Sequence, residues 1–297
     1  MTAANPAPGA EDAGDGAGIA LETADGHRFG LLARIPEHAE RTALWLPALG
    51  VAARHYLPLA EALAARGVAV FLHEWRGNGS SSLRPGRDRD WGYRELLLAD
   101  LPRSERAVAD RLPGLPRVIG GHSLGGQLAC CRLALDPRAA DALWLVASGS
   151  PYWRAFPART RWWLPLAYRF LPWLADARGA LPGRRIGFGG SEARGLVRDW
   201  SRTALSGRYA AAGIATDLDA AMGSIEVPVR AAILRDDWLG PESSLRFLLS
   251  KLPASPVAAR TFDPRALGTT ADHFAWMREP GAVAAWLAAG APQSASA

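Results

Sequence analysis

At 297 residues, 49% of them hydrophobic, the chain can hold one large α/β domain or two small ones. No stretch reaches the ~18–20 unbroken apolar residues of a membrane span. The formal charge of +5 is almost wholly arginine, since Lys251 is the only lysine. The arginines are scattered without a dense basic run, which excludes a nucleic-acid partner from the reading.

Residues 1–17 and 291–297 are rich in small residues and proline or serine and read as disordered tails. The first stretch has no basic n-region and no apolar h-region, so no signal peptide is read there. Strands are expected over residues 18–23 and 28–35 around the turn signal Asp25-Gly26, and again over 42–46. A helix over 56–66 stops at Gly67 and leads into a buried strand, 68–72. Helical periodicity covers 93–112, and a strand ends at Gly120. A helix up to Leu135 is stopped by Asp136-Pro137, and a strand follows over 142–147. The alternation resumes with a strand at 227–234, a helix at 242–252, a strand at 257–262 and a helix at 282–289. Strands alternating with helices imply an α/β fold with a mostly parallel, doubly wound sheet. Residues 150–222 break the pattern and are rich in aromatics, which assigns 18–149 and 223–290 to a core and 150–222 to an insertion. Cys130 and Cys131 adjoin on one helix and read as small core residues, consistent with a reducing, cytoplasmic setting.

The chemistry centres on Gly121-His122-Ser123-Leu124-Gly125-Gly126, a G-x-S-x-G between strand and helix. In that context Ser123 sits on a sharp turn with its hydroxyl raised above the sheet. Gly121 and Gly125 remove side chains that would collide, and Gly126 lets the helix pack close. The new helix aims free N–H groups at any oxyanion formed beside Ser123.

A serine needs a base, and the base an orienting carboxylate; with such an elbow they follow the serine in the order acid, then base. Of six histidines only His273 lies downstream, in the loop after the last strand. His122 belongs to the elbow and is expected to point away from the attack direction. The strand at 227–234 runs into Arg235-Asp236-Asp237-Trp238, where both aspartates sit at a strand end. Asp237 is preferred as the acid because its place four before Pro241 resembles the acid turn of hydrolases built on such an elbow, with Asp236 the alternative; Asp272 reads as a loop carboxylate. The second oxyanion donor should come from Pro47-Ala48-Leu49-Gly50, through the Leu49 N–H paired with that of Leu124.

These residues resemble the α/β-hydrolase superfamily, in particular bacterial serine hydrolases with a helical cap. The likeness runs from about Leu46 to Trp286. It rests on Pro47-Ala48-Leu49-Gly50-Val51 with Tyr56, Trp75-Arg76-Gly77-Asn78-Gly79-Ser80-Ser81, the elbow, Asp236-Asp237 and His273-Phe274. The run from Leu181 to Gly189 and Trp200 add to it. Departures are Glu74 where relatives often carry Asp, Asp272 where they often carry Gly, and the bulky Trp238.

The resemblance implies that 150–222 is a cap over the carboxyl ends of the strands, where Trp153, Trp162, Trp163 and Trp238 would contact an apolar acyl or aryl group. Arg154, Arg159, Arg161 and Arg169, interleaved with aromatics, also suggest an interfacial lid. Prolines are expected to break any single amphipathic helix there, so association with a membrane is not expected. The expected activity is hydrolysis of a small carboxylic ester or thioester through an acyl-enzyme, without metal or organic cofactor. Acyl transfer by the same residues and a non-catalytic binding role are the alternatives; the oligomeric state is not legible.

Overall fold

The computed structural model describes residues 18–289; both expected tails fall outside them. Among the described residues ten strands are present: β1 Ile19–Glu22, β2 Arg28–Arg34, β3 Arg41–Leu46, β4 Val68–Leu72, β5 Arg117–His122, β6 Ala142–Val146, β7 Leu181–Pro182, β8 Ser191–Glu192, β9 Val229–Leu234 and β10 Val257–Phe262. Eight form the main sheet, in the order β1-β2-β4-β3-β5-β6-β9-β10. The β1–β2 and β2–β4 pairs are antiparallel, and every other pair is parallel. β4 and β6 are buried along their whole length, because helices cover both faces of a parallel sheet. Their unbroken apolar runs, rather than an alternation, follow from that.

One core cluster holds Leu44, Leu46, Ile119 and Leu145 with Leu128 and Leu133 of the helix Leu124–Leu135. The other holds Trp45, Val70, Trp144 and Leu234 with Leu59 and Leu63 of the helix Leu57–Ala64 and with Val283 and Leu287 of the helix Gly281–Ala288. The chain leaves β3 for β4 on one side and returns to β5 on the other. The topological switch point therefore falls between β3 and β5. In open α/β sheets ligands bind in the crevice at the carboxyl ends of such strands.

Three details differ from the sequence expectation. The helix expected over 93–112 is interrupted by a π-helical turn, Leu96–Asp100, before the regular helix Leu101–Arg111; Pro102 has no N–H to give the preceding turn. The insertion holds the short antiparallel pair β7–β8. It also holds a 15-residue helix, Leu164–Arg178, despite its prolines. Pro165 lies in its first turn, where the N–H has no intrahelical acceptor, so only Pro172 interrupts the ladder.

The inserted segment packs partly on itself, around Trp200, and partly on the main core. Phe156, Leu164, Tyr168 and Ala204 form one cluster and Leu171, Ala175, Leu181 and Val197 another. Tyr209, Leu218 and Met222 pack instead into the main core.

Candidate active site

β5 ends at His122 and the next helix begins at Leu124, leaving one residue to reverse the chain. Ser123 does so at φ 55°, ψ −118°, the conformation of the first central residue of a type II′ turn, where glycine is the usual occupant. Its N–H donates to the Val146 carbonyl at 3.1 Å. The glycines around it are required by contact. A Cβ on Gly121 would lie 2.5 Å from Gly126 N, and one on Gly125 2.7 Å from the Pro47 carbonyl oxygen. One on Gly126 would lie 2.7 Å from Ser148 Cβ, so the helix packs against the segment after β6.

Asp237 follows β9 and is buried. Its Oδ1 accepts the N–H groups of Leu239 at 2.8 Å and Gly240 at 2.9 Å. Its Oδ2 lies 2.7 Å from His273 Nδ1. With Nδ1 held by the carboxylate, the imidazole keeps Nε2 as its free lone pair. Asp236 is exposed, and its N–H donates to the Ala271 carbonyl at 2.9 Å, so of the two aspartates it is Asp237 that meets the histidine. Asp272 closes a turn, accepting from Phe274 N, Ala275 N and Thr270 Oγ1. Partial burial pushes its carboxyl up, but these donors together hold it below the usual range.

Leu49 lies in the turn after β3, next to the elbow. That turn is pinned on both sides. Trp75 Nε1 donates to the Pro47 carbonyl at 2.8 Å, and the Ala48 N–H donates to Tyr56 Oη at 2.9 Å. Tyr56 Oη is also 2.8 Å from His122 Nδ1. This pair of contacts ties the turn to the elbow. The N–H groups of Leu49 and Leu124 have no protein acceptor among the described residues. His122 is fully buried, and its ring stands 4.7 Å from that of His273. Burial drives its basicity well below the ordinary value. It is a neutral wall behind the histidine.

A small cavity of about 10 Å³, room for about one water, adjoins the turn, lined by Leu49, Leu124, Trp75, Trp91, Asn78 and Glu192. Glu192 was not singled out from sequence, where it is one carboxylate after a glycine-rich run. Its Oε1 accepts the Gly190 N–H at 2.7 Å, and burial pushes its carboxyl up to about 7. Here the insertion rests directly on the turn, since a Cβ on Gly50 would lie 2.8 Å from Gly189 Cα. Gly50 has φ +73°, a second reason for glycine.

Of the four tryptophans expected at the substrate, the structure brings two together: the rings of Trp163 and Trp238 are 6.4 Å apart. Trp153 packs in the cluster of Phe156 and Tyr168, and Trp162 is 72% exposed.

A second Ser-His-Asp alignment is fully buried. His27 Nε2 is 2.9 Å from Ser81 Oγ and Nδ1 is 3.1 Å from Asp100 Oδ1. Arg76 also grips Asp100 at 2.7 and 2.8 Å and Asp25 at 2.7 and 3.1 Å. Ser81 Oγ accepts from Gly77 N and Leu83 N. These groups are used in holding the 75–81 loop to the β1–β2 turn. Glu74 holds the same loop, accepting from Ala53 N and Ser80 N, which accounts for the longer carboxylate at this position.

No curated protein matches the chain in sequence. Solved structures similar to it include Est1E from Butyrivibrio proteoclasticus with ferulic acid bound (TM-score 0.60, 14% identity, 90% of this chain and 96% of that one). Rv0554 from Mycobacterium tuberculosis is similar with TM-score 0.58 at 17% identity over 93% and 99% of the two chains. A thioesterase domain from the curacin biosynthetic pathway has TM-score 0.55 at 19% identity over 92% and 98%. At these identities the likeness is one of fold, the α/β-hydrolase fold. Residues 38–255 match the family described as serine aminopeptidase, S33. The chain belongs to that family of α/β-hydrolases.

Proposed function

We propose that the protein is a serine esterase or thioesterase acting on a small substrate with an apolar acyl or aryl group. The observation that carries the reading is the 2.7 Å pairing of His273 with buried Asp237 at the same sheet edge as the strained Ser123 turn. Ser123 Oγ attacks the carbonyl carbon while His273 Nε2 takes its proton. Asp237 holds the imidazole in the required tautomer and stabilises the imidazolium. The Leu49 and Leu124 N–H groups, free of protein acceptors, receive the oxyanion. The leaving alcohol or thiol takes the proton from His273. Water then attacks the acyl-enzyme with His273 as base, releasing the acid and restoring Ser123. The chemistry is complete without metal or organic cofactor. The two free, buried cysteines fit a cytoplasmic enzyme.

The family description favours a second reading, cleavage of an amide after an N-terminal residue. That activity requires a carboxylate for the substrate ammonium. Glu192 faces the small cavity beside the 47–50 turn, but its Oε1 already accepts the Gly190 N–H, and burial raises its carboxyl to about 7, so it is only partly ionised at neutral pH. The ester reading is therefore preferred.

A panel of acyl p-nitrophenyl esters, acyl-CoA thioesters and aminoacyl p-nitroanilides, with Ser123→Ala as blank, tests both. Ester or thioester turnover lost by about 10⁴-fold or more in the variant is expected. Anilide turnover exceeding ester turnover would move the assignment to the aminopeptidase reading. Turnover retained in Ser123→Ala would overturn both. Adding alcohols and amines during turnover and analysing products separates hydrolysis from acyl transfer.

A further inference from the structure

The helix Leu164–Arg178 is apolar on two opposite sides. Leu164, Tyr168, Leu171 and Ala175 are buried against the rest of the insertion. Leu166, Phe170 and Trp173, spaced i, i+4, i+7, share the opposite face and are 70%, 49% and 62% exposed. Trp162 and Trp163, just before the helix, extend the same stripe, and Trp163 meets the half-exposed Trp238 beside Asp237. Single exposed apolar residues are ordinary on a soluble protein. A contiguous row of five large ones along one helix and the turn before it, where a polar outer face is the rule, marks a surface that something covers.

Charge identifies the occupant. Residues 151–190 contain seven arginines against one aspartate, a net +6, more than the +5 of the whole chain. That aspartate, Asp176, is paired with Arg198 at 2.6 Å. Arg154, Arg159, Arg169, Arg178, Arg184 and Arg185 are exposed. A second copy docked through this face would oppose two strips of net +6, which like-charge repulsion disfavours. Tryptophan and phenylalanine flanked by guanidinium groups suit the other geometry, aromatic rings at the acyl–headgroup boundary with arginine on phosphate.

We propose that this face docks the protein on an anionic lipid surface. Contact is peripheral, since no helix among the described residues is long and apolar enough to cross a membrane. The proposal takes up the interfacial lid suggested by sequence, against the expectation there of no association with a membrane. That expectation rested on prolines breaking a helix that in fact forms. It stands on exposure and charge, independently of the serine chemistry.

The test is flotation of the full chain with vesicles of phosphatidylcholine containing 30% phosphatidylserine, and with phosphatidylcholine alone. Binding to the anionic vesicles is expected to be at least about tenfold tighter, and to fall in 0.5 M NaCl. Leu166→Ser/Phe170→Ser/Trp173→Ser and, separately, Arg154→Ala/Arg159→Ala/Arg169→Ala should each lose at least about tenfold. Both variants change exposed side chains, and unchanged turnover of a short, water-soluble ester, or unchanged melting if no ester is turned over, shows that they fold. Failure of wild type to float, equal binding to both vesicle types, or variants that bind like wild type would overturn the proposal. So would a dimer in light scattering that the serine variant dissociates, because the face would then belong to a second copy. Ser123→Ala, floated in parallel, should bind as wild type does whatever its activity.

Discussion

Replacing Ser123 by glycine should raise stability while abolishing turnover. The residue holds φ 55°, ψ −118°, and the side chain makes no capping hydrogen bond to the helix it precedes. An L-residue in such a conformation costs about 1–3 kcal/mol. Glycine removes that cost but loses roughly 0.5–1 kcal/mol through the greater freedom of the unfolded chain. The net gain is about 1 kcal/mol, which for a domain of this size raises Tm by about 2 °C. Ser123→Ala is the matching control: it removes Oγ, keeps Cβ and keeps the strain, so its Tm should stay near wild type. Scanning calorimetry on wild type and both variants reads the difference, and an ester assay reads the loss of activity in both. A glycine variant melting at or below the alanine variant would refute the claim that the turn stores strain.

Asp237→Asn should leave the fold intact but lower kcat by about 10³- to 10⁴-fold, because the amide can donate to Nδ1 and favour the wrong tautomer; a loss under tenfold would remove Asp237 from the mechanism. Arg76→Ala leaves the Asp100 carboxylate buried without its cation and should cost about 3–5 kcal/mol in urea denaturation, and a cost below 1 kcal/mol would contradict the network. Glu192 gives a pH dependence. Burial raises its folded pKa from 4.5 to about 7, so the unfolded chain loses the proton first and stability falls as pH rises from about 4.5 to 7. The stability of wild type relative to Glu192→Gln should therefore drop by up to about 3 kcal/mol between pH 4.5 and 8, and a pH-independent difference would refute the burial argument.

What was legible in the sequence is what short spacing encodes. Gly121, Gly125 and Gly126 each answer to a contact within a few residues or with one neighbouring strand, so the elbow reads directly. The buried parallel strands read from their apolar runs, and the four-residue spacing from Asp237 to Pro241 pointed to the aspartate that meets His273. What could not be read depends on partners far apart in the chain. Tyr56 and His122 are 66 residues apart, and nothing local marks their hydroxyl–imidazole contact. Glu192 is unremarkable until folding buries it against Gly190 and the 47–50 turn. Helix Leu164–Arg178 was misjudged because all its prolines were weighed as breakers, although a first-turn proline such as Pro165 costs no hydrogen bond. Asp100 is turned inward by a π-helical turn that periodicity does not reveal.

The central claim is that Ser123 carries the acyl group. Intact-mass analysis after treatment with a fluorophosphonate and with a slowly turned-over p-nitrophenyl ester, followed by peptide mapping, addresses it directly. The account predicts one adduct per chain, on the peptide containing Ser123, absent from Ser123→Ala and formed far more slowly in Asp237→Asn. An adduct on another residue, or ester turnover with no adduct at Ser123, would contradict it.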